Sequence, residues 1–230
     1  MNKILGLGHP RTGTSFTSKL MQRWGLDVGH EKIKNDGVVA WQMINDNGPF
    51  PFMKPIKYRP DYDCLTYNVR NPYYSIPSIV YTEDTKNKSF SYRKKVLEFE
   101  ETNNNIENAI LSLHYYDLKV LSMNPHVIFR IEDQQYELYK TLKNTGFDLN
   151  YSEYNEKVNV RKHKNFDEMI KDFKSISDDA KNMLYVPSVD SEKDPNFHKL
   201  MMHLLVSLVT VPPEILYVYN RELFIKRYRN

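Results

Sequence analysis

Gly6-Leu7-Gly8-His9-Pro10-Arg11-Thr12-Gly13-Thr14-Ser15 is the stretch that decides the fold. Ile4 and Leu5 supply an apolar lead-in, and Phe16, Leu20 and Trp24 recur behind it at helical spacing. The spacing predicts a strand over 3–8, a glycine loop, and a helix over 13–24 stopped by Gly25. A loop of this kind turns several backbone N–H groups toward one point, and the start of the helix adds its partial positive charge. Its natural ligand is an anion, a phosphate or a sulfate.

Residues 8–15 follow the outline of a Walker A loop, G-x-x-x-x-G-K-[ST], except that Thr14 stands where the lysine belongs and the loop's cation is Arg11. Without that lysine the β- and γ-phosphates of ATP lose a principal contact, which counts against an ordinary ATPase. A second segment, 63–69, reads as a buried strand that ends in Arg70-Asn71-Pro72 and continues as Tyr73-Tyr74-Ser75-Ile76-Pro77-Ser78. It delivers an arginine to the strand's C-terminal end.

Arg70 and Ser78 stand at the spacing of R-[DN]-P-x-x-x-x-x-S, which resembles the 3′-phosphate motif of sulfotransferases, and Pro10-Arg11-Thr12-Gly13-Thr14-Ser15 resembles the same family's 5′-phosphosulfate loop, P-[KR]-[ST]-G-T-[TS]. The two occur in the family's order. The resemblance, strong over the N-terminal third, is to the bacterial and carbohydrate-directed branch. It implies a P-loop NTPase-like sulfotransferase fold and 3′-phosphoadenosine 5′-phosphosulfate (PAPS) as co-substrate, with no metal. It further implies that Pro10, Arg11, Thr12, Gly13, Thr14 and Ser15 hold the 5′-phosphate, Arg11 stabilising the leaving charge, while Arg70 and Ser78 hold the 3′-phosphate. The family's C-terminal R-K-G-x-x-G motif is missing, which separates the chain from the animal cytosolic branch.

Some members of that family use a glutamate about twenty residues past the loop as general base, and Glu31 falls there, with His30 as runner-up or orienting neighbour. His9 is expected to pack beside the nucleotide rather than take the proton. Trp41, Phe50, Phe52 and Tyr58 read either as core, which is favoured, or as a stacking surface for an acceptor. Residues 159–162 read either as a late loop approaching the nucleotide or as a solvated basic turn. The expected reaction is transfer of a sulfuryl group to an acceptor hydroxyl, a saccharide among the candidates. The alternatives are a P-loop kinase, for which Glu132-Asp133 is the one acidic strand end, and a phosphonucleotide-binding module without chemistry.

At 230 residues the chain can bury a core as a single domain. Its net charge of +3 suits an anionic ligand but is too small to indicate nucleic acid. The single cysteine, Cys64, lies in an apolar run and is expected to be buried. With no apolar run of spanning length and no leader pattern, a soluble, cytoplasmic protein without membrane contact is expected. No Cys/His spacing indicates a metal.

Strand and helix alternate along the rest of the chain. A short strand is expected over 26–31, a short helix over 38–44, helices over 74–81, 106–123 and 133–142, and a strand over 126–131. The polar span 82–105, helical over 92–101, reads as an insertion or lid. Further helices are expected over 166–173, 177–184 and 196–210. Residues 211–230 are expected to dock as a C-terminal segment, a dimer contact being the other use for them. The pattern favours α/β: a three-layer parallel sheet flanked by helices, with ligand loops at the C-terminal ends of the strands.

Overall fold

The computed structural model describes residues 3–53, 56–83, 88–101, 105–156 and 162–169. Five strands form one sheet: β1 (Ile4–Leu7), β2 (Val28–His30), β3 (Gly37–Val39), β4 (Cys64–Val69) and β5 (Val127–Arg130). All pair in parallel, in the order β2-β3-β1-β4-β5. The helices are α1 (Thr14–Arg23), α2 (Pro72–Thr82), α3 (Lys88–Leu97), α4 (Asn105–Leu121) and α5 (Gln135–Asn144).

Successive strand residues point to opposite faces, and because apolar residues occupy both sets of alternate positions the sheet is apolar on both faces. Leu5, Leu7, Val38, Leu65, Tyr67 and Val69 face a core shared with Ile76 and Ile79 of α2, Phe90 of α3 and Ile110 and Tyr116 of α4. Ile4, Val39, Cys64 and Phe129 face the opposite core, with Leu20 and Met21 of α1 and Leu138 and Leu142 of α5. The result is the three-layer α/β arrangement expected from the sequence, with Cys64 fully buried.

Two elements depart from expectation, the first being α3, which spans Lys88–Leu97 where a helix over 92–101 is expected. Instead of a helix over 38–44, the chain runs as β3 and then makes a single 3₁₀ turn over Trp41–Ile44. β3 is clamped on both sides, with Val38 opposite Leu5 on β1 and opposite Gly29 on β2. Three residues are too few to display an alternating pattern, and the following turn is buried at all four positions, so it carries no amphipathic signature either. The interior position decides the conformation, not the local spacing.

Strand order creates the site. The connection from β1 through α1 leads toward β2 and β3, whereas that from β4 leads the other way to β5, so the C-terminal ends of β1 and β4 flank the crevice where strand order reverses. The glycine loop leaves β1 there, and Arg70 follows β4 by one residue. Residues 177–184, 196–210 and 211–230, and 159–161 of the late basic loop, lie outside the described residues. The helix expected from 166 is present over 166–169, its described part. Among the described residues no helix is long and apolar enough to cross a membrane.

Candidate functional site

Two backbone features shape the glycine loop. Gly13 has φ 99°, and a Cβ there would come within 2.5 Å of Ile131 Cδ1, so both conformation and space demand glycine. At Gly8 a Cβ would meet the Asn68 side chain of β4 at 2.4 Å, so the loop lies flush against the neighbouring strand. Asn68 Nδ2 then donates to the Thr12 carbonyl at 2.9 Å and to Thr12 Oγ1 at 3.1 Å.

Thr12 therefore serves the loop from within. It is buried, and both its N–H and its hydroxyl donate to the His9 carbonyl, at 3.0 and 2.7 Å. Its amide is thus spent on the turn. The first backbone bond of α1 runs from the Thr17 N–H to the Gly13 carbonyl at 2.9 Å, which leaves the preceding amides without helical acceptors at the positively charged helix end.

Those amides border a cavity of about 550 Å³. Of the ten residues singled out from the sequence, Pro10, Arg11, Gly13, Thr14, Ser15, His30, Glu31 and Arg70 line it; Thr12 and Ser78 do not. Ser78 is buried on α2 and accepts a hydrogen bond from Arg11 Nε at 2.9 Å, so it meets the arginine from behind. Arg70 Nη1 donates to the Arg11 carbonyl at 3.3 Å. The loop arginine is thereby tied, through side chain and backbone, to the segment that carries the second motif.

Arg70 is half-buried, and burial lowers its pKa from the ordinary arginine value while the nearby Glu132 and Tyr74 oppose that effect. Glu132 Oε1 lies 4.0 Å from Arg70 Nε and accepts from the Asn71 N–H at 3.0 Å. Burial raises its pKa, against those same partners. The acidic end beyond β5 thus braces the turn after β4.

On the far side of the crevice β2 ends at His30. Its Nε2 lies 3.2 Å from Thr14 Oγ1, and burial lowers its pKa, partly offset by the charge of Glu31. A neutral imidazole with Nε2–H donating to Thr14 leaves that hydroxyl's own proton free for an anion in the loop. Glu31 has φ 52°, a left-handed conformation that costs a non-glycine residue about 1–2 kcal/mol. Its N–H donates to the Val39 carbonyl at 3.0 Å, and its Oε1 accepts from Trp41 Nε1 at 2.8 Å. Arg11 is left-handed too, at φ 76°. Phe52, a third cavity residue, has φ 62°, and strain clustered around a cavity is typical of positions held for function.

The remaining wall comes from Phe16, Trp41, Phe52, Glu83, Lys88 and Ser89. The aromatic group divides: Trp41 and Phe50 are core, whereas Phe52 and Tyr58 are more than half exposed. Behind this wall lies a fully buried arginine, Arg93, which the sequence reading missed because it sits in a polar, lysine-rich helix. Only its spacing from the apolar Phe90 and Leu97 could have indicated an inward position. Arg93 Nε donates to Ser112 Oγ at 2.8 Å, and Ser112 Oγ lies 2.9 Å from His9 Nε2. His9 Nδ1 in turn lies 2.7 Å from the Pro10 carbonyl. Since the serine oxygen already accepts from Arg93, its proton points to Nε2, and the Nδ1–H tautomer donates to Pro10. These bonds hold His9 fully buried beneath the loop, and it is not among the residues that line the cavity. Among the described residues no three His, Cys, Asp or Glu side chains are grouped to hold a metal ion.

No family model matches the chain, and no curated protein matches it. Among solved structures, the mouse sulfotransferase SULT7A1 complexed with PAP is similar at 15% identity, over 100% of this chain and 85% of that one, with a TM-score of 0.32. Similarity at that level adds no weight to what the residues say for themselves.

Proposed function

We propose that the protein is a sulfotransferase that moves a sulfuryl group from PAPS to an acceptor hydroxyl. The observation that supports this best is the convergence of both motifs on one cavity, with Arg11 bonded to Ser78 and Arg70 bonded to the Arg11 carbonyl. The 5′-phosphate would lie on the helix start and the hydroxyls of Thr14 and Ser15, and the 3′-phosphate by Arg70. Both are anionic groups, and the donors present are amides, hydroxyls and guanidinium groups, so the fit is chemically sound without a metal.

In the reaction the Glu31 carboxylate takes the proton of the acceptor hydroxyl as that oxygen forms its bond to sulfur. The bond from sulfur to the phosphate bridging oxygen breaks, and its electron pair stays on that oxygen, giving 3′-phosphoadenosine 5′-phosphate (PAP) and a sulfate ester. Arg11 and the loop amides stabilise the charge that develops there. Phe52, the exposed aromatic of the wall, offers a face to a ring-shaped acceptor such as a saccharide. We place the activity in the cytoplasm, the single buried cysteine requiring no oxidising compartment.

Calorimetric titration with PAP, ADP and adenosine 5′-phosphosulfate in the absence of metal tests the reading. Selective binding of PAP is expected, and Glu31→Gln should keep that binding while lowering turnover to a measurable residue. Preference for ADP would favour the kinase, and tight PAP binding without turnover of any acceptor would favour the module without chemistry.

A further inference from the structure

We propose that Trp41 is the positioning residue of this site: its indole N–H holds one oxygen of the Glu31 carboxylate so that the other meets the acceptor hydroxyl. The proposal rests on the sulfotransferase reading with Glu31 as base. Its starting observation is the 2.8 Å bond from Trp41 Nε1 to Glu31 Oε1. Among the described residues no other side chain or amide donates to this carboxylate. Both residues line the cavity, at the ends of neighbouring strands β2 and β3.

An indole nitrogen donates and cannot accept, so Trp41 takes no part in proton transfer and acts on the carboxylate alone. Its own direction is fixed. Trp41 as a whole is 4% exposed, too little for an open stacking platform. Tyr92 meets it edge-on at 5.8 Å, and the Arg93 guanidinium lies 5.6 Å from the ring. Tyr116 donates to the Trp41 carbonyl at 3.0 Å. A glutamate side chain by itself explores several rotamers, and a base acts only within hydrogen-bond reach of its proton. The locked indole removes that freedom from Glu31, whose backbone is already held in a left-handed conformation.

Trp41→Phe keeps the ring and deletes the donor. The expected result is a fall in kcat of roughly tenfold or more, with the acceptor KM and PAP affinity changed by less than about twofold. In a Glu31→Gln background the same substitution should have no further effect, as two residues acting through one bond require. Should Trp41→Phe fail to fold, replacement of Trp41 by benzothienylalanine, which puts sulfur in place of the indole N–H at nearly constant shape, makes the same test.

A readout independent of turnover comes from the chain's two tryptophans. Trp24 Nε1 donates to the Ser152 carbonyl at 2.8 Å, so the two indole N–H resonances have separate partners. Glu31→Gln should shift the Trp41 resonance and leave that of Trp24 in place. If neither resonance moves, the bond is absent and the proposal is overturned. If the resonance moves but Trp41→Phe keeps full kcat, the bond is merely structural and the proposal fails while Glu31 stands as base. Full activity in Glu31→Gln removes the base itself, and with it any positioning role.

Discussion

Arg11 Nε and Ser78 Oγ meet at 2.9 Å across 67 positions of sequence, and the serine is buried beneath the arginine rather than open to the cavity. Ser78 thus holds the guanidinium of a residue that lines the cavity. The role its motif implies is direct contact with the 3′-phosphate, and the bond to Arg11 makes the two motifs one mechanical unit.

Ser78→Ala should accordingly lower PAP affinity by about twofold to twelvefold, the range of one hydrogen bond of about 0.5–1.5 kcal/mol, and by less than Arg11→Ala. Calorimetric titration of the two variants checks this. A loss in Ser78→Ala equal to that in Arg11→Ala would mean that the serine touches the nucleotide directly.

Arg93 is fully buried with Glu83 Oε2 3.5 Å from its Nη1, and its Nη2 has no hydrogen-bond partner among the described residues. Burial lowers its pKa to about 10, so it remains a cation at neutral pH. Ser89 donates to the same Glu83 carboxylate. Removing Glu83 strands the buried charge, and Glu83→Ala should destabilise the protein by about 3–5 kcal/mol. The double variant Glu83→Gln, Arg93→Met should recover a good part of that loss. Urea unfolding midpoints decide it, and a cost for Glu83→Ala under about 1 kcal/mol would show that the pair does not stabilise the buried cation.

Among the described residues two buried histidines, His9 and His114, set a pH dependence, to which the partly buried His30 adds in the same direction. Burial lowers the pKa of His9 well below the usual imidazole value, aided by the Arg93 charge, and lowers that of His114 to about 4. In the unfolded chain both take up a proton near pH 6.5. Below that pH the unfolded state therefore binds more protons than the folded one. Stability should be fully present above about pH 6.5 and fall as pH drops toward 4, by up to about 1.4 kcal/mol per pH unit for each histidine. His114→Gln should flatten the slope, measured by urea unfolding between neutral and mildly acid pH. A slope unchanged by that substitution would exclude His114 as a source.

Much of this architecture was legible in advance because it depends on short-range rules. The strand and helix around the glycine loop, α4 and β5 all display their periodicity within a few turns. β3 did not, since three residues between two partner strands carry no pattern. Arg93 escaped for a related reason. A cation in a lysine-rich helix reads as solvated unless the partners that desolvate it, here Glu83, Ser112 and the rings of Trp41 and Phe90, are known to be near.

By itself the sequence determined the local chemistry: a loop whose glycines and arginine suit an anion, a strand end bearing Arg70, and a glutamate at the end of β2. Those features follow from the steric and capping preferences of neighbouring residues, which act wherever the segment lies. Tertiary structure alone decided which of these groups meet. Strand order β2-β3-β1-β4-β5 put Trp41 against Glu31, Ser78 under Arg11 and a buried arginine behind the loop, because contacts between distant residues are set by how the layers pack and not by the spacing of residues along the chain.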